Sequence, residues 1–329
     1  MNEKITIIAG KVPFFYYKRK IKIFFEPFLS KYFNYKPSRG ELLMYGGHYA
    51  VSRSLIEGLY KMGYTNFNYN PSSISKVGDV VLVIADIYAL KQAIKWKKEG
   101  RIKKLIAGPN LCVFPTDYPE ISSTMIDKYI THSQWCIDYF VELCPNLKYK
   151  MALWPAGVDD SYWLPDFTVE KNGKKILFFN KQPNKKMYSK CLEIALKYGF
   201  EVIELVHGKY ALEEYKTNLN KVDFLIHFMD HESQGISLSE AWCMDVPTMV
   251  WNPGMWTPGH MNIKCSSAPL LCDKTGVFFK NEIEFENLFK QNLLNKALYS
   301  PRSILLKNYT DIKVTEIFLN IVNSIDDDK

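Results

Sequence analysis

The sequence predicts an α/β protein built from two Rossmann-like domains with parallel sheets. Short apolar runs rich in β-branched residues alternate with amphipathic stretches of helical length, which is the pattern of βαβ units. The chain has 329 residues, more than a single hydrophobic core usually organises. Two domains of about 150 residues each are therefore expected.

In the first half of the chain, short apolar runs of strand length alternate with amphipathic stretches of helical length. The segment Trp154–Pro165 contains two prolines and a Gly-Val-Asp-Asp turn, which indicates a connection between domains. We therefore predict an N-terminal domain of residues 1–160. Its strands are predicted at Thr6–Ala9, Phe67–Tyr69, Val80–Ala85, Lys104–Ala107 and Lys128–Thr131, and its helices at Tyr49–Met62, Ile87–Glu99 and Gln134–Leu143.

A second alternating series predicts a C-terminal domain of residues 161–309. Ser300 followed by Pro301 is typical of a helix start, with Ser300 as the cap, and a last helix within residues 310–329 is expected to join the N-terminal domain. The other strands are predicted at Lys175–Phe179, Glu201–Val206, Val222–Phe228 and Thr248–Trp251, and the helices at Tyr188–Tyr198, Ala211–Leu219 and Ile236–Met244.

Composition narrows the environment of the protein. The N-terminus lacks the apolar core of a signal peptide, and no run reaches the ~18 uncharged apolar residues of a membrane span. Seven cysteines without a Cys-x-x-Cys pair indicate neither a disulfide framework nor a zinc knuckle. A cytoplasmic protein, soluble or peripheral to the inner face of a membrane, is therefore expected.

Positive charge is concentrated in the first half. Residues 1–165 contain 22 Lys and Arg against 14 Asp and Glu, whereas residues 166–329 contain 20 against 21. Within residues 13–33, where large aromatic and aliphatic side chains are frequent, four cations cluster in residues 18–22 (Lys18, Arg19, Lys20 and Lys22). This segment suits contact with an anionic membrane surface, or it lines an acceptor site, and both interpretations stay open.

The most specific passage in the sequence runs from His231 to Pro247. It follows the predicted strand Val222–Phe228 and predicts a tight glycine turn that opens a helix. Gly235 would let the backbone approach a ligand closely, and the amides of Ser233, Gln234, Gly235 and Ile236 would point at an anion. A phosphate site is predicted at this turn.

Two glutamates flank the turn. Glu232 precedes the helix and Glu240 lies about two turns into it, so one carboxylate could meet a sugar while the other reaches the ribose of the same nucleotide. A charge-assisted hydrogen bond of this kind contributes roughly 1.5–3 kcal/mol. In the alternative interpretation Glu232 complements the helix dipole and Glu240 is a solvated helix residue.

The Glu-x7-Glu pair, with Gly235 between its members and a strand opened by Pro247 after it, resembles the donor-site signature of retaining GT-B glycosyltransferases of family 4, or group 1. The resemblance implies two Rossmann-like domains whose parallel sheets face each other across a cleft. It also implies that Glu232 is the catalytic-site residue that binds the donor sugar, that the turn amides hold the diphosphate, and that Glu240 binds the ribose.

A second match lies after the strand Lys175–Phe179, where the family has an Arg and then a Lys that clamp the diphosphate. This sequence has Lys181 in the first place and Lys185 or Lys186 in the second. A lysine provides a point charge instead of a planar fork, so the clamp would be less strict in its geometry. Tyr210 falls in the segment where the family binds the base, and it could stack there.

The resemblance covers the N-terminal half only in outline. Gly157-Val158-Asp159 resembles the interdomain segment of the family, and Gly46-Gly47 resembles its entry into the first long helix. Gly10 and Lys11 follow the first strand, where the chain often faces the donor phosphates. His48 and His132 are candidate catalytic residues at the cleft, although a lone histidine is more often structural.

These observations predict an enzyme, a hexosyltransferase-like glycosyltransferase (EC 2.4). It would move a sugar from a nucleoside diphosphate sugar, a UDP- or GDP-sugar, to a hydroxyl of a glycan or lipid-linked glycan. The resemblance implies retention at the anomeric carbon. No Asp-x-Asp follows a strand, so no metal or other cofactor is expected, and lysines with helix amides would neutralise the leaving diphosphate.

Three other functions stay open. A nucleotide-sugar epimerase would share the fold and need no acceptor. A DNA-directed glucosyltransferase or a nucleic-acid binder would use the basic first half and bind with a steep salt dependence. The sequence contains no known nucleic-acid-binding motif, so no nucleic acid is expected as a partner. A catalytically silent sugar-binding module would explain the lysine at position 181.

Overall fold

The computed structural model of the chain describes residues 3–9, 47–171, 173–181 and 184–327. By their contacts these residues form two compact units. The first consists of residues 3–9, 47–157 and 311–327, and the second of residues 158–310. Gly10, Lys11 and the basic segment 13–33 lie outside the described residues.

The first unit is built on a sheet of six parallel strands. The strand order is β2-β1-β3-β4-β5-β6. The central strands β3 and β4 are buried along their whole length, as expected for a parallel sheet covered on both faces. The strands are β1 Ile5–Ala9, β2 Phe67–Tyr69, β3 Val80–Ile84, β4 Lys104–Ala107, β5 Lys128–Thr131 and β6 Met151–Leu153.

In the described part of the first unit, the helices between these strands are α1 Gly47–Lys61, α2 Ile87–Lys98 and α3 Gln134–Leu143. The N-terminus of α2 shows how the sequence determines where a helix begins. Asp86 is its N-cap, and the carboxylate oxygen Oδ1 accepts hydrogen bonds from the amides of Tyr88 and Ala89, both at 3.0 Å.

The second unit is built on a sheet of five parallel strands in the order β13-β10-β9-β7-β8. A short antiparallel hairpin, β11 Met255–Trp256 and β12 Ile263–Lys264, follows β10. The sheet strands are β7 Lys175–Asn180, β8 Glu201–Val206, β9 Phe224–Phe228, β10 Thr248–Trp251 and β13 Gly276–Phe279. The helices are α4 Lys185–Lys197, α5 Leu212–Lys221, α6 Ile236–Cys243, α7 Glu282–Lys290 and α8 Pro301–Asn308.

The last helix, α9 Asp311–Asp327, belongs to the first unit and packs against α1. Asp311 opens α9 with its carboxylate fully buried, and it accepts two hydrogen bonds from Arg53 of α1, at 2.8 and 2.9 Å. The indole Nε1 of Trp154 donates to the carbonyl of Val314 at 2.9 Å. The C-terminal segment thus completes a core whose other parts lie much earlier in the chain.

The predicted α/β class with two parallel sheets is confirmed. As predicted, Pro301 opens α8 and Ser300 occupies its N-cap position, although among the described residues the Ser300 side chain makes no capping hydrogen bond. The functional roles assigned to the two halves stay predictions.

Candidate functional site

The second sheet has a topological switch point between β7 and β9. The chain passes from β7 to β8 on one side and then crosses to β9 on the other side. In open parallel sheets ligands bind outside the carboxyl ends of the strands at such a point, because the connections diverge and leave a crevice. Asn180, the last residue of β7, is in register with Phe228, the last residue of β9.

Two predicted site residues, Lys181 and Glu232, meet at this point. The amide of Lys181 donates to the carbonyl of Phe228 at 3.0 Å, which extends the β7–β9 pairing by one residue. The ammonium Nζ of Lys181 lies 2.5 Å from Oε1 of Glu232. Glu232 is 8% exposed, so this ion pair is largely removed from water.

The segment between β9 and α6 forms the tight turn that the sequence predicts. Gly235 has φ 81° and ψ 60°, a left-handed conformation that favours glycine, and its carbonyl accepts from the amide of Leu238 at 2.9 Å. A Cβ at this position would lie 2.9 Å from Cδ1 of Leu238. Ser233 is exposed, Gln234 is 2% exposed, and Ile236 is the first residue of α6.

The amide of Glu232 donates to the carbonyl of Ser266 at 2.9 Å, which holds the start of this turn in place. Glu240 lies in α6 and is 5% exposed, so it is not a solvated helix residue. The hydroxyl of Tyr215 on α5 donates to the carbonyl of Ser237 at 2.7 Å and holds the first turn of α6. The start of α6 is therefore fixed close to the segment that carries Glu232.

A buried histidine that sequence analysis missed lies beneath the pair. His227 in β9 has no exposed surface, and its Nε2 is 3.7 Å from Oε1 of Glu232. Its ring is stacked on Phe179, with the ring centres 5.6 Å apart. Burial holds the pKa of His227 well below its usual range, and the positive charge of Lys181 and then His207 lower it further. The imidazole is therefore neutral.

A second histidine borders the site on the other side of Glu232. Nδ1 of His231 lies 2.7 Å from Oδ1 of Asp230, and the ring is stacked on Trp256 of the hairpin, with ring centres 4.3 Å apart. The carbonyl of Asp230 accepts from the hydroxyl of Ser267 at 3.0 Å. The hairpin after β10 is thus joined to the segment that carries Glu232.

Other predicted donor residues lie farther from the pair or deeper in the unit. Lys185 and Lys186 open α4 with exposed side chains, next to the N-cap Asn184, whose side chain accepts from the amide of Met187 at 3.2 Å. Tyr210 is 3% exposed, and its ring packs edge to face against Phe179. The stacking of a base on Tyr210 and the clamping by Lys185 or Lys186 stay predictions.

The predicted residues of the first half lie in the first unit or outside the described residues. His132 follows β5 and is 2% exposed, and its Nδ1 lies 3.1 Å from the carbonyl of Trp154. A carbonyl only accepts, so Nδ1 carries the proton. His48 lies in α1, and its side chain, like all of Gly10 and Lys11, is outside the described part of the structure. Their catalytic or binding roles stay predictions.

Two doubly wound parallel sheets in one chain are the architecture of the GT-B class. The solved structures that resemble this chain along its length have that fold. Anabaena HepE in complex with UDP and glucose matches with a TM-score of 0.58 and 11% identity, covering 98% of this chain and 100% of that one. A glycosyltransferase from Rickettsia africae matches with a TM-score of 0.58 and 12% identity, covering 99% of each chain.

The lipopolysaccharide outer core galactosyltransferase WaaB matches with a TM-score of 0.53 and 13% identity, covering 98% of this chain and 99% of that one. No family model and no curated protein sequence matches the chain. Identities this low show the fold, and the predicted GT-B fold is confirmed. No helix among the described residues is long and apolar enough to span a bilayer.

Proposed function

We propose that the chain is a glycosyltransferase that takes its sugar from a nucleoside diphosphate sugar. The observation that carries this proposal is the Lys181–Glu232 pair at the switch point of the second sheet. The left-handed turn at Gly235 leads from this pair into α6. A cation, a buried carboxylate and a helix start thus lie at the place where doubly wound sheets bind nucleotides.

Each group has a part in the transfer. The diphosphate leaves with negative charge, which the ammonium of Lys181 and the first amides of α6 would stabilise. Glu232 would accept hydrogen bonds from the hydroxyls of the donor sugar, and Glu240 from the ribose. Because Lys181 is now paired with Glu232, donor binding requires Lys181 to exchange its carboxylate partner for a phosphate oxygen.

Further features of the reaction belong to the same proposal. Retention at the anomeric carbon, with departure and attack on one face of the sugar, and independence of a metal follow from the resemblance to family 4. A hydroxyl of a glycan or lipid-linked glycan would be the acceptor, and the first unit with its basic residues would bind it. Cytoplasmic location and peripheral membrane contact through residues 13–33 complete the proposal.

The direct test is a thermal-shift screen of the protein with UDP, GDP, ADP, CMP and TDP. UDP is the first choice because HepE was solved with UDP and with UDP-glucose. A nucleotide at 100 times its dissociation constant stabilises the folded state by about 2.7 kcal/mol. We expect one nucleotide to raise the melting temperature of the wild type, and to raise it less in Glu240→Ala.

Glu193→Ala is the matched control, because Glu193 lies exposed on α4 and carries no proposed role. Its response to the nucleotide should equal that of the wild type. If no nucleotide shifts the wild type, the donor-site proposal is wrong. With the nucleotide known, analysis of the products from a labelled donor with and without acceptor separates a transferase from an epimerase, which needs none.

A further inference from the structure

His227 is a polar side chain that nothing in the described structure satisfies. It lies in β9, the central strand of the second sheet, and has no exposed surface. Neither of its ring nitrogens has a hydrogen-bond partner among the described residues. A buried donor or acceptor without a partner costs roughly 1–3 kcal/mol. An apolar residue would fill this strand position without that cost, so we expect the imidazole to have a role at this position.

The carboxylate of Glu232 lies close to the ring of His227. Nε2 of His227 is 3.7 Å from Oε1 of Glu232, slightly beyond hydrogen-bond distance. The same oxygen is 2.5 Å from the ammonium of Lys181. The lysine and the imidazole therefore approach one oxygen atom, and the lysine holds it in this structure.

We propose that His227 is a positioning residue for Glu232, whose Nε2–H donates to the carboxylate whenever Lys181 leaves it for a bound phosphate. The departure of Lys181 would remove the cation from a buried carboxylate, and the imidazole N–H lies where it can take over the contact with the same oxygen. This contact would hold the orientation of Glu232 while its other carboxylate oxygen meets the sugar. This inference rests on the proposed function, because the donor diphosphate is what draws Lys181 away.

The groups around His227 predict how its titration should respond. Lys181 after β7 and His207 after β8 are the positive groups that face it, and Glu232 before α6 is the negative one. Its stacking partner Phe179 and its β10 register partner Val250 are apolar. Removing the charge of Lys181 leaves the carboxylate as the dominant neighbour, so the pKa of His227 should rise.

The first experiment needs no ligand. The ¹⁵N shifts of the histidine rings are followed over about pH 5–8, the range in which histidine normally titrates. We expect His227 to stay neutral in the wild type. In Lys181→Met its pKa should rise, and its Nε2 proton should shift downfield through the new hydrogen bond. Lys185→Met removes the same charge from an exposed position of the same unit and should leave His227 unchanged.

A double variant shows whether Glu232 causes the effect. Lys181→Met with Glu232→Gln removes the carboxylate charge, and the pKa of His227 should fall back. If His227 titrates alike in the wild type and Lys181→Met, or if the double variant retains the full rise, the proposal is overturned. This result does not depend on which ligand the protein binds.

The second experiment measures the binding of UDP-glucose by His227→Leu and His227→Gln. Leucine fills the space without a donor, whereas glutamine keeps an N–H. Loss of a hydrogen bond to a charged carboxylate corresponds to about ten- to 150-fold weaker binding, so His227→Leu should bind UDP-glucose weaker by this factor and His227→Gln should recover most of it. Equal affinities of the wild type and His227→Leu for UDP-glucose would overturn the proposal. If the wild type binds no nucleotide, the donor-site proposal is wrong, and the titration still decides the role of His227.

Discussion

At the scale of single residues, Lys171 in the second unit is a partly buried cation whose charge the fold tolerates poorly. Its ammonium donates to the carbonyl of Leu219 at 3.2 Å. Burial, and then the nearby charge of Lys296, lower the pKa of Lys171 to about 8. Asp223 and Asp245 act in the opposite direction without restoring the usual value of 10.5.

This depressed pKa predicts a pH dependence of stability. Between about pH 8 and 10.5 the unfolded chain still holds the proton that the folded chain has released, so the free energy of unfolding rises with pH across that window. Lys171→Met should remove this rise and be more stable than the wild type at pH 7. Urea unfolding at a series of pH values measures it, with Lys221→Met as the exposed control. Parallel profiles for wild type and Lys171→Met would contradict the assignment.

Gly235 and Gly199 form a matched pair in the second unit. Their φ angles are 81° and 78°, so a side chain adds similar backbone strain, of order 1 kcal/mol, at either place. A Cβ at Gly199 meets no atom within 4 Å, whereas at Gly235 it lies 2.9 Å from Leu238. Gly235→Ala should therefore weaken UDP binding beyond its effect on stability.

Gly199 lies before β8 and away from the carboxyl ends of the strands. Gly199→Ala should therefore lower the melting temperature with little change in UDP affinity. Calorimetric titration of both variants gives the comparison. An equal loss of affinity in the two variants would mean that the turn at Gly235 does not contact the ligand.

The site also shows how far single residues can be predicted. Lys181 and Glu232 could be proposed because Lys181 directly follows one apolar strand and Glu232 lies in the glycine turn after another, in positions that match the family signature. His227 could not, because a polar residue inside an apolar run indicates a strand with one wet face, whereas Phe224–Phe228 is buried throughout. The unsatisfied ring nitrogens become visible only with the neighbours from β7 and the turn in place.

At the scale of elements, the crossing of α1 and α9 depends on Gly58. A Cβ at this position would lie 1.9 Å from Oγ1 of Thr315 and 2.4 Å from the carbonyl oxygen of Asp311. Gly58→Ala would gain about 1 kcal/mol of helix propensity, but overpacking against backbone costs about 1–3 kcal/mol. We expect a net loss in the free energy of unfolding.

Thr315→Ala in the same chain separates the two contacts of Gly58. Thr315→Ala removes the threonine hydroxyl but leaves the carbonyl of Asp311 in place. The variant with both Gly58→Ala and Thr315→Ala should therefore recover only part of the free energy of unfolding that Gly58→Ala loses. Denaturant unfolding of the single and double variants gives the coupling energy. A stabilised Gly58→Ala variant would show that the helices separate at no cost.

Most strands and helices with strong local signals were predicted, and so was the short edge strand β2, whereas β6, β11, β12, β13 and α7 were not. Strands such as β3 are five apolar residues flanked by polar ones, and their burial follows from the sheet. The edge strand β6 has three half-buried or exposed residues, and β11 and β12 have two residues each. Such short segments carry no period to detect, and only their pairing with a neighbouring strand makes them strands.

At the scale of the whole molecule, the first unit is assembled from distant parts of the chain. Phe318 and Val314 of α9 are fully buried, although more than 150 residues separate them from β6. The ring of Phe318 lies 5.6 Å from that of Trp154, measured between centres. Periodicity identifies α9 as a helix, but the core it completes is a long-range property that no local pattern contains.

This assembly predicts that a defect in α9 acts on the first unit. Phe318→Ala removes a buried aromatic ring and should destabilise the unit by about 3–5 kcal/mol. Ile312→Ala on the same helix is the control, because Ile312 is 37% exposed and its loss should cost little. Hydrogen exchange read by mass spectrometry should show faster exchange in peptides from residues 5–9 and 47–157 of Phe318→Ala, while peptides from residues 158–310 keep the protection of the wild type. Equal acceleration in both sets of peptides would mean that the two units unfold as one cooperative body, and α9 would then support the whole chain and not the first unit alone.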